Sequence, residues 1–188
     1  MYWANPVGMN LGKCFPLVYM MNYTSKTNES RKPLLEIVGV TSTGQTFMYS
    51  HCFMEDEKQP TYQWALERFK TCFNEDEIPH VIIIDKEFAL MNVIARVFPT
   101  TKHMLCRFHI YQNVKVNVKK IFAKEKENDD YPKFIRGFKD LVENSSSEVQ
   151  YLQNLESLRV HGQDTLSLWN TFDNIGLSIL ITFCIHLG

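Results

Sequence analysis

The five cysteines, Cys14, Cys52, Cys72, Cys106 and Cys184, are odd in number and contain no CxxC pair. That argues against a disulfide framework and fits an intracellular, reducing compartment. Charge of one sign is also lacking. Lys and Arg total 20 against 21 Asp and Glu, a formal net charge of −1, so nothing pulls the whole chain toward nucleic acid and any basic surface must be local. Met1 to Phe15 has no charged segment leading into an apolar one, so no signal peptide is read there. The last apolar stretch, Ile175 to Leu187, is interrupted by Ser178, Thr182 and His186. It is too short to span a bilayer comfortably, and no membrane partner is expected. No internal repeat is evident.

What is present suits a globular core: 45% hydrophobic and 13% aromatic residues in a chain of 188. This length allows one domain, or one domain and a fragment of another. Met1 to Cys14, with Pro6, Gly8 and Gly12, reads as irregular and as the middle of a longer protein rather than the start of a domain. Leu17–Thr24, Pro33–Thr41 and Thr46–Met54 read as strands of an antiparallel meander, with Ser42-Thr43-Gly44-Gln45 as a hairpin turn. Pro60 marks a helix entrance. Thr61–Phe73 follows as an amphipathic helix with Tyr62, Ala65, Leu66, Phe69, Cys72 and Phe73 on its apolar face.

Val81-Ile82-Ile83-Ile84 then runs into Asp85. A continuous β-branched run predicts a strand buried on both faces. Taken locally, an Asp between a strand and a helix is most simply a cap for free backbone N–H groups. Ligands and metals in mixed sheets, however, gather at carboxyl ends of strands. Glu87–Phe98 is a second helix, stopped by Pro99, and Lys102–Cys106 a short strand. Arg107–Lys126 is helical, with Phe108, Tyr111, Val114, Val118, Ile121 and Phe122 as its apolar face, and two more helices follow over Phe134–Val142 and Val149–Val160. Three antiparallel strands followed by alternating helix and strand is the order of an α/β, ribonuclease H-like mixed sheet. In that layout the first and fourth strands lie side by side, and their ends can present two carboxylates to a pair of divalent cations.

Several runs are familiar as a set: Phe15-Pro16-Leu17-Val18, Asn22-Tyr23-Thr24-Ser25-Lys26-Thr27-Asn28 and Pro33 to Val40. Trp64-Ala65-Leu66, Ile83-Ile84-Asp85 through Phe98-Pro99, Cys106-Arg107-Phe108-His109 and Asn113-Val114 continue it. In this order and spacing they resemble the Mutator-like element (MULE) transposase domain, also found in transposase-derived plant regulators of the far-red-impaired-response type. The resemblance covers about Phe15 to Val118. It implies a core over 15–118 and an incomplete helical continuation over 119–188. It also implies DNA as partner, Mg²⁺ or Mn²⁺ as cofactor, a nuclear location, and strand cleavage by an Asp, Asp, Glu triad. Asp85 matches the second acid. At the first this chain has Asn22, and no Glu is assignable as the third. An amide offers a hard cation only a dipole where a carboxylate offers charge. Metal binding is therefore expected to be weak, and this copy is expected to be inactive and at most to bind nucleic acid. Self-association through an uncovered sheet face is a further expectation.

Other candidates have simpler readings. Cys106 and His109 form the family's CxxH motif, but a Zn²⁺ site needs about four ligands. Cys14, Cys52, His51 and His103 would have to converge on them, so a buried thiol and a backbone-bonded imidazole is the reading we take. Lys115, Lys119 and Lys120 on the long helix, and Lys26, Arg31 and Lys32 in the first hairpin, suit either a phosphate backbone or plain solvation. Nothing near any cysteine supports a nucleophilic enzyme. Two other functions stay open: an active metal-dependent nuclease in which Asp56, Glu55 or Glu36 replaces the acid missing at Asn22, and a protein-interaction scaffold without a nucleic-acid role.

Overall fold

The computed structural model describes residues 1–24, 28–74, 77–122 and 130–161. They fall into two compact units that divide between Cys106 and Arg107. Lys26, Lys124, Lys126 and the apolar stretch Ile175 to Leu187 lie outside the described residues.

The first unit is a mixed α/β fold around one sheet. Its strands are β1 (Tyr2–Ala4), β2 (Val18–Thr24), β3 (Leu34–Val40), β4 (Thr46–Phe53), β5 (Val81–Ile84) and β6 (Lys102–Leu105), in the spatial order β1-β4-β3-β2-β5-β6. β2, β3 and β4 form the expected antiparallel meander, and β5 runs parallel to β2 on one side and to β6 on the other. The first meander strand and the strand leading to Asp85 are therefore neighbours, as the order of elements implied. Gly44 closes the β3–β4 hairpin with φ +77°, a conformation that costs glycine little.

Helices α1 (Pro6–Cys14), α2 (Gln59–Lys70) and α3 (Phe88–Val97) complete this unit. Burial alternates along the strands. Tyr19, Met21, Leu35, Ile37, Ile82 and Ile84 enter the core with Leu66, Phe69, Val93 and Ile94 from α2 and α3. Phe69 lies at the centre of the aromatic contacts, with ring centroids 5.3 Å from Tyr19, 5.5 Å from Tyr49, 4.8 Å from Phe73 and 5.7 Å from Phe98. A register shift between Ile37 and Val38 brings both Tyr49 and Ser50 of β4 inside.

Two expectations need correcting. Met1 to Cys14 is not irregular: β1 pairs with β4, and α1 follows with Pro6 in its first turn and the Asn5 side chain accepting from Val7 N at 3.1 Å. The glycines that read as breakers are what lets α1 approach. A Cβ on Gly12 would stand 2.5 Å from the Tyr49 ring. In β5, Ile82 and Ile84 are fully buried but Val81 and Ile83 only half-buried, so the strand is not equally covered on its two faces.

The second unit contains α4 (Arg107–Phe122), α5 (Asp130–Glu143) and α6 (Glu148–His161). α4 buries Ile110, Val114, Val118 and Phe122, whereas Phe108, expected on that face, is 63% exposed. Phe122 packs on Phe134, and Tyr111 stacks on Phe138, joining α4 to α5.

Candidate nucleic-acid site

Asp85 lies one residue beyond the end of β5, half-buried. One carboxylate oxygen accepts from Lys86 N at 2.7 Å, and its carbonyl accepts from Glu87 N at 2.8 Å. The cap of α3 is a different acid: Glu87 accepts from Ala89 N at 3.0 Å. Asp85 is therefore not the N-cap of α3.

The sheet register places the residues around it. Met21 of β2 pairs with Ile84 of β5, and Ile84 with Leu105 of β6. One step further along these parallel ladders come Asn22, Asp85 and Cys106, and Cys106 N donates to Ile84 O at 2.6 Å. On the other side of β2, Asn22 pairs with Glu36, Glu36 with His51, and His51 with Trp3. Register partners share a face of the sheet. The result is a transverse row of Asn22, Glu36, His51 and Trp3 on the face opposite the helices, with Asp85 following the end of β5 beside the Asn22 end of that row. Sequence reasoning named Glu36 only as one of three substitute acids. The register singles it out.

The other two substitutes are engaged or distant in register. Asp56 accepts from Thr61 Oγ1 at 2.5 Å and from Lys58 N at 3.3 Å, and Lys58 Nζ stands 3.1 Å away. These bonds, the Thr61 hydroxyl first, hold its carboxyl below the usual carboxylate range. Glu55 is exposed on a cavity of about 370 Å³ lined also by Phe53, Pro60 and Trp64. Sequence reasoning also missed that Glu57 and Glu87 act on the same phenol as Asp85. Burial raises the Tyr23 phenol above its ordinary value, and Glu57, Glu87 and Asp85 push it the same way. Nothing in their spacing along the chain signals that grouping.

The donor set is poor for two divalent cations. Of the two positions where adjacent strands would offer carboxylates, one holds an amide. Among the described residues no three His, Cys, Asp or Glu side chains converge as a metal site. The residues present do not fit a two-metal centre.

The remaining candidates are spread over both units. Cys106 is half-buried in the first, and His109 is half-buried on α4 in the second, its ring centroid 5.7 Å from that of Phe108. Lys115, Lys119 and Lys120 are exposed on α4, off its buried stripe.

The family model of the MULE transposase domain matches residues 18–113. Among curated proteins, FAR1-RELATED SEQUENCE 5 of Arabidopsis thaliana is 23% identical over 123 residues, which is 65% of this chain and 16% of that protein. FAR1-RELATED SEQUENCE 11 of the same plant is 28% identical over 104 residues, 55% of this chain and 15% of that protein. The PKS-NRPS hybrid synthetase cheA of Chaetomium globosum is 30% identical over 105 residues, 55% of this chain but 2% of that protein. The chain thus spans a small part of each of these relatives. Among solved structures, the catalytic core domain of HTLV-2 integrase in complex with magnesium covers 68% of this chain and 86% of its own, at 13% identity and a TM-score of 0.34.

Proposed function

This chain belongs to the MULE transposase domain family, and from that premise we propose that it is a ribonuclease H-like, transposase-derived domain that binds nucleic acid without cutting it. One observation carries the reading: Asn22 and Asp85 each follow the Met21–Ile84 pair that ends the parallel β2–β5 ladder, and Asn22 is an amide where the family pattern has its first acid. Cleavage by two metals needs the attacking and leaving oxygens both neutralised. A single carboxylate next to an amide neutralises two dications poorly.

Binding does not require that chemistry. Affinity for a phosphate backbone comes from lysine and arginine releasing counterions. The exposed Lys115, Lys119 and Lys120 on α4 supply such charge. Likeness to the plant FAR1-related proteins supports a nuclear role for the longer proteins that carry such domains.

A second reading is favoured by a specific observation. Glu36 is the direct partner of Asn22, so a carboxylate one strand over replaces the missing charge and the domain retains metal-dependent nuclease activity. Titration of labelled DNA in EDTA tests the first reading. Binding that persists without divalent cations supports it, and absence of binding to any nucleic acid leaves a protein-interaction scaffold instead.

A further inference from the structure

Trp3 and His51 are register partners across the β1–β4 edge, and their rings stack with centroids 4.7 Å apart and planes 25° from parallel. Its neighbour Tyr2 turns to the helix side, where its hydroxyl lies 3.7 Å from Cys72 Sγ. Trp3 turns to the other face and keeps 47% of its surface exposed. Isolated exposed aromatics are ordinary, but this one has a particular place. It ends the transverse row of His51, Glu36 and Asn22. Three strand spacings, about 14 Å, separate it from Asn22.

Cations stand at the end of β3 that lies nearest this row. The turn before β3 is clamped by Asn28, whose amide nitrogen donates to Lys32 O at 2.6 Å and whose amide oxygen accepts from Lys32 N at 3.1 Å. Arg31 N donates to Asn28 O at 2.9 Å, with Arg31 at φ +50°. Arg31 and Lys32 are both exposed. They precede Glu36 by four or five residues, on the order of 15 Å of extended chain.

We propose that the Trp3–His51 pair is a stacking platform for an unpaired base, with Arg31 and Lys32 on the adjoining phosphates, so that the preferred partner is single-stranded nucleic acid. An exposed indole accepts any base by stacking, whereas bases within a duplex have their faces already covered. The cations add sequence-independent, salt-dependent attraction. The inference rests on the nucleic-acid reading above and names its substrate class.

The test is fluorescence anisotropy of a labelled oligothymidylate, a duplex and an abasic oligonucleotide of equal length, with the full chain and its variants. Trp3→Ala weakens oligothymidylate binding about ten- to a hundredfold, Trp3→Phe keeps most of it, and neither changes abasic binding. The double variant Arg31→Ala, Lys32→Ala reduces the salt slope by about 1.4. Unchanged oligothymidylate binding by Trp3→Ala overturns the platform while leaving the nucleic-acid reading intact. An equal loss on the abasic strand overturns it too, because the defect is then not one of stacking. No binding of any nucleic acid by the wild-type chain overturns both.

Discussion

Asn22 and Asp85 each come one residue after the Met21–Ile84 pair that ends the parallel β2–β5 ladder. An amide and a carboxylate thus follow two adjacent parallel strands, where the proposed reading expects two negative charges. Placing an acid at Asn22 has a measurable cost. In EDTA, Asn22→Asp sets two carboxylates next to each other, a repulsion of up to about 1 kcal/mol, and lowers Tm by roughly 2–4 °C. Millimolar Mn²⁺ raises the Tm of the variant, because the ion binds only the folded pair, and leaves the wild-type Tm unchanged. A wild-type Tm that rises with Mn²⁺ points instead to Glu36 as a working ligand.

The seat of α1 on the sheet depends on a missing side chain. A Cβ at Gly8 would lie 2.0 Å from Met48 O, a backbone atom that cannot rotate away. Gly8→Ala therefore costs about 1–3 kcal/mol by overpacking. Hydrogen exchange locates the damage: protection is lost over Pro6–Cys14 and retained in the β2–β5 ladder.

Phe69 is fully buried among Tyr19, Tyr49, Phe73 and Phe98. Truncation to Ala opens a cavity under the sheet and costs about 3–5 kcal/mol, read as a lower urea midpoint with an unchanged slope. Phe69→Leu costs less, since it leaves a smaller void.

Asp56 links the end of β4 to α2 through Thr61 and Lys58. These bonds depress its folded-state pKa. Its stabilisation is therefore complete above the unfolded carboxylate value of about 3.9 and is lost as pH falls through the lower folded value. Asp56→Ala is less stable than wild type at pH 7, and the two melting curves converge as the pH is taken below 3.9 toward the folded value. A gap that persists unchanged at the acid end shows that the carboxylate charge is not what matters.

Much of this fold was legible because its signals are local. The meander strands alternate, Gly44 marks a turn, and the Val81–Ile84 run is strand-like at any register. α1 was missed because Pro6, Gly8 and Gly12 are helix breakers by propensity. Here Pro6 occupies the first turn behind the Asn5 cap, and Gly8 and Gly12 are close-approach points to β4. Asp85 read locally as a cap because capping depends on an offset of two or three residues, and Glu87 satisfies that requirement instead. The pairing of Asn22 with Glu36 was not readable at all. Register depends on the length and geometry of the Ser25–Pro33 connection, and a shift of one residue would turn Glu36 to the other face. The Trp3–His51 contact depends in turn on β1, which the irregular reading of the N-terminal segment had removed.

The most direct test of the central claim is Mn²⁺-dependent cleavage of a labelled DNA duplex by the wild-type chain, Asn22→Asp, Glu36→Gln and Asp85→Ala. The account predicts that the wild-type chain binds without cutting and that no product accumulates above the Asp85→Ala background. Cutting by the wild-type chain that disappears in both Asp85→Ala and Glu36→Gln would contradict it, and would place the missing acid on β3.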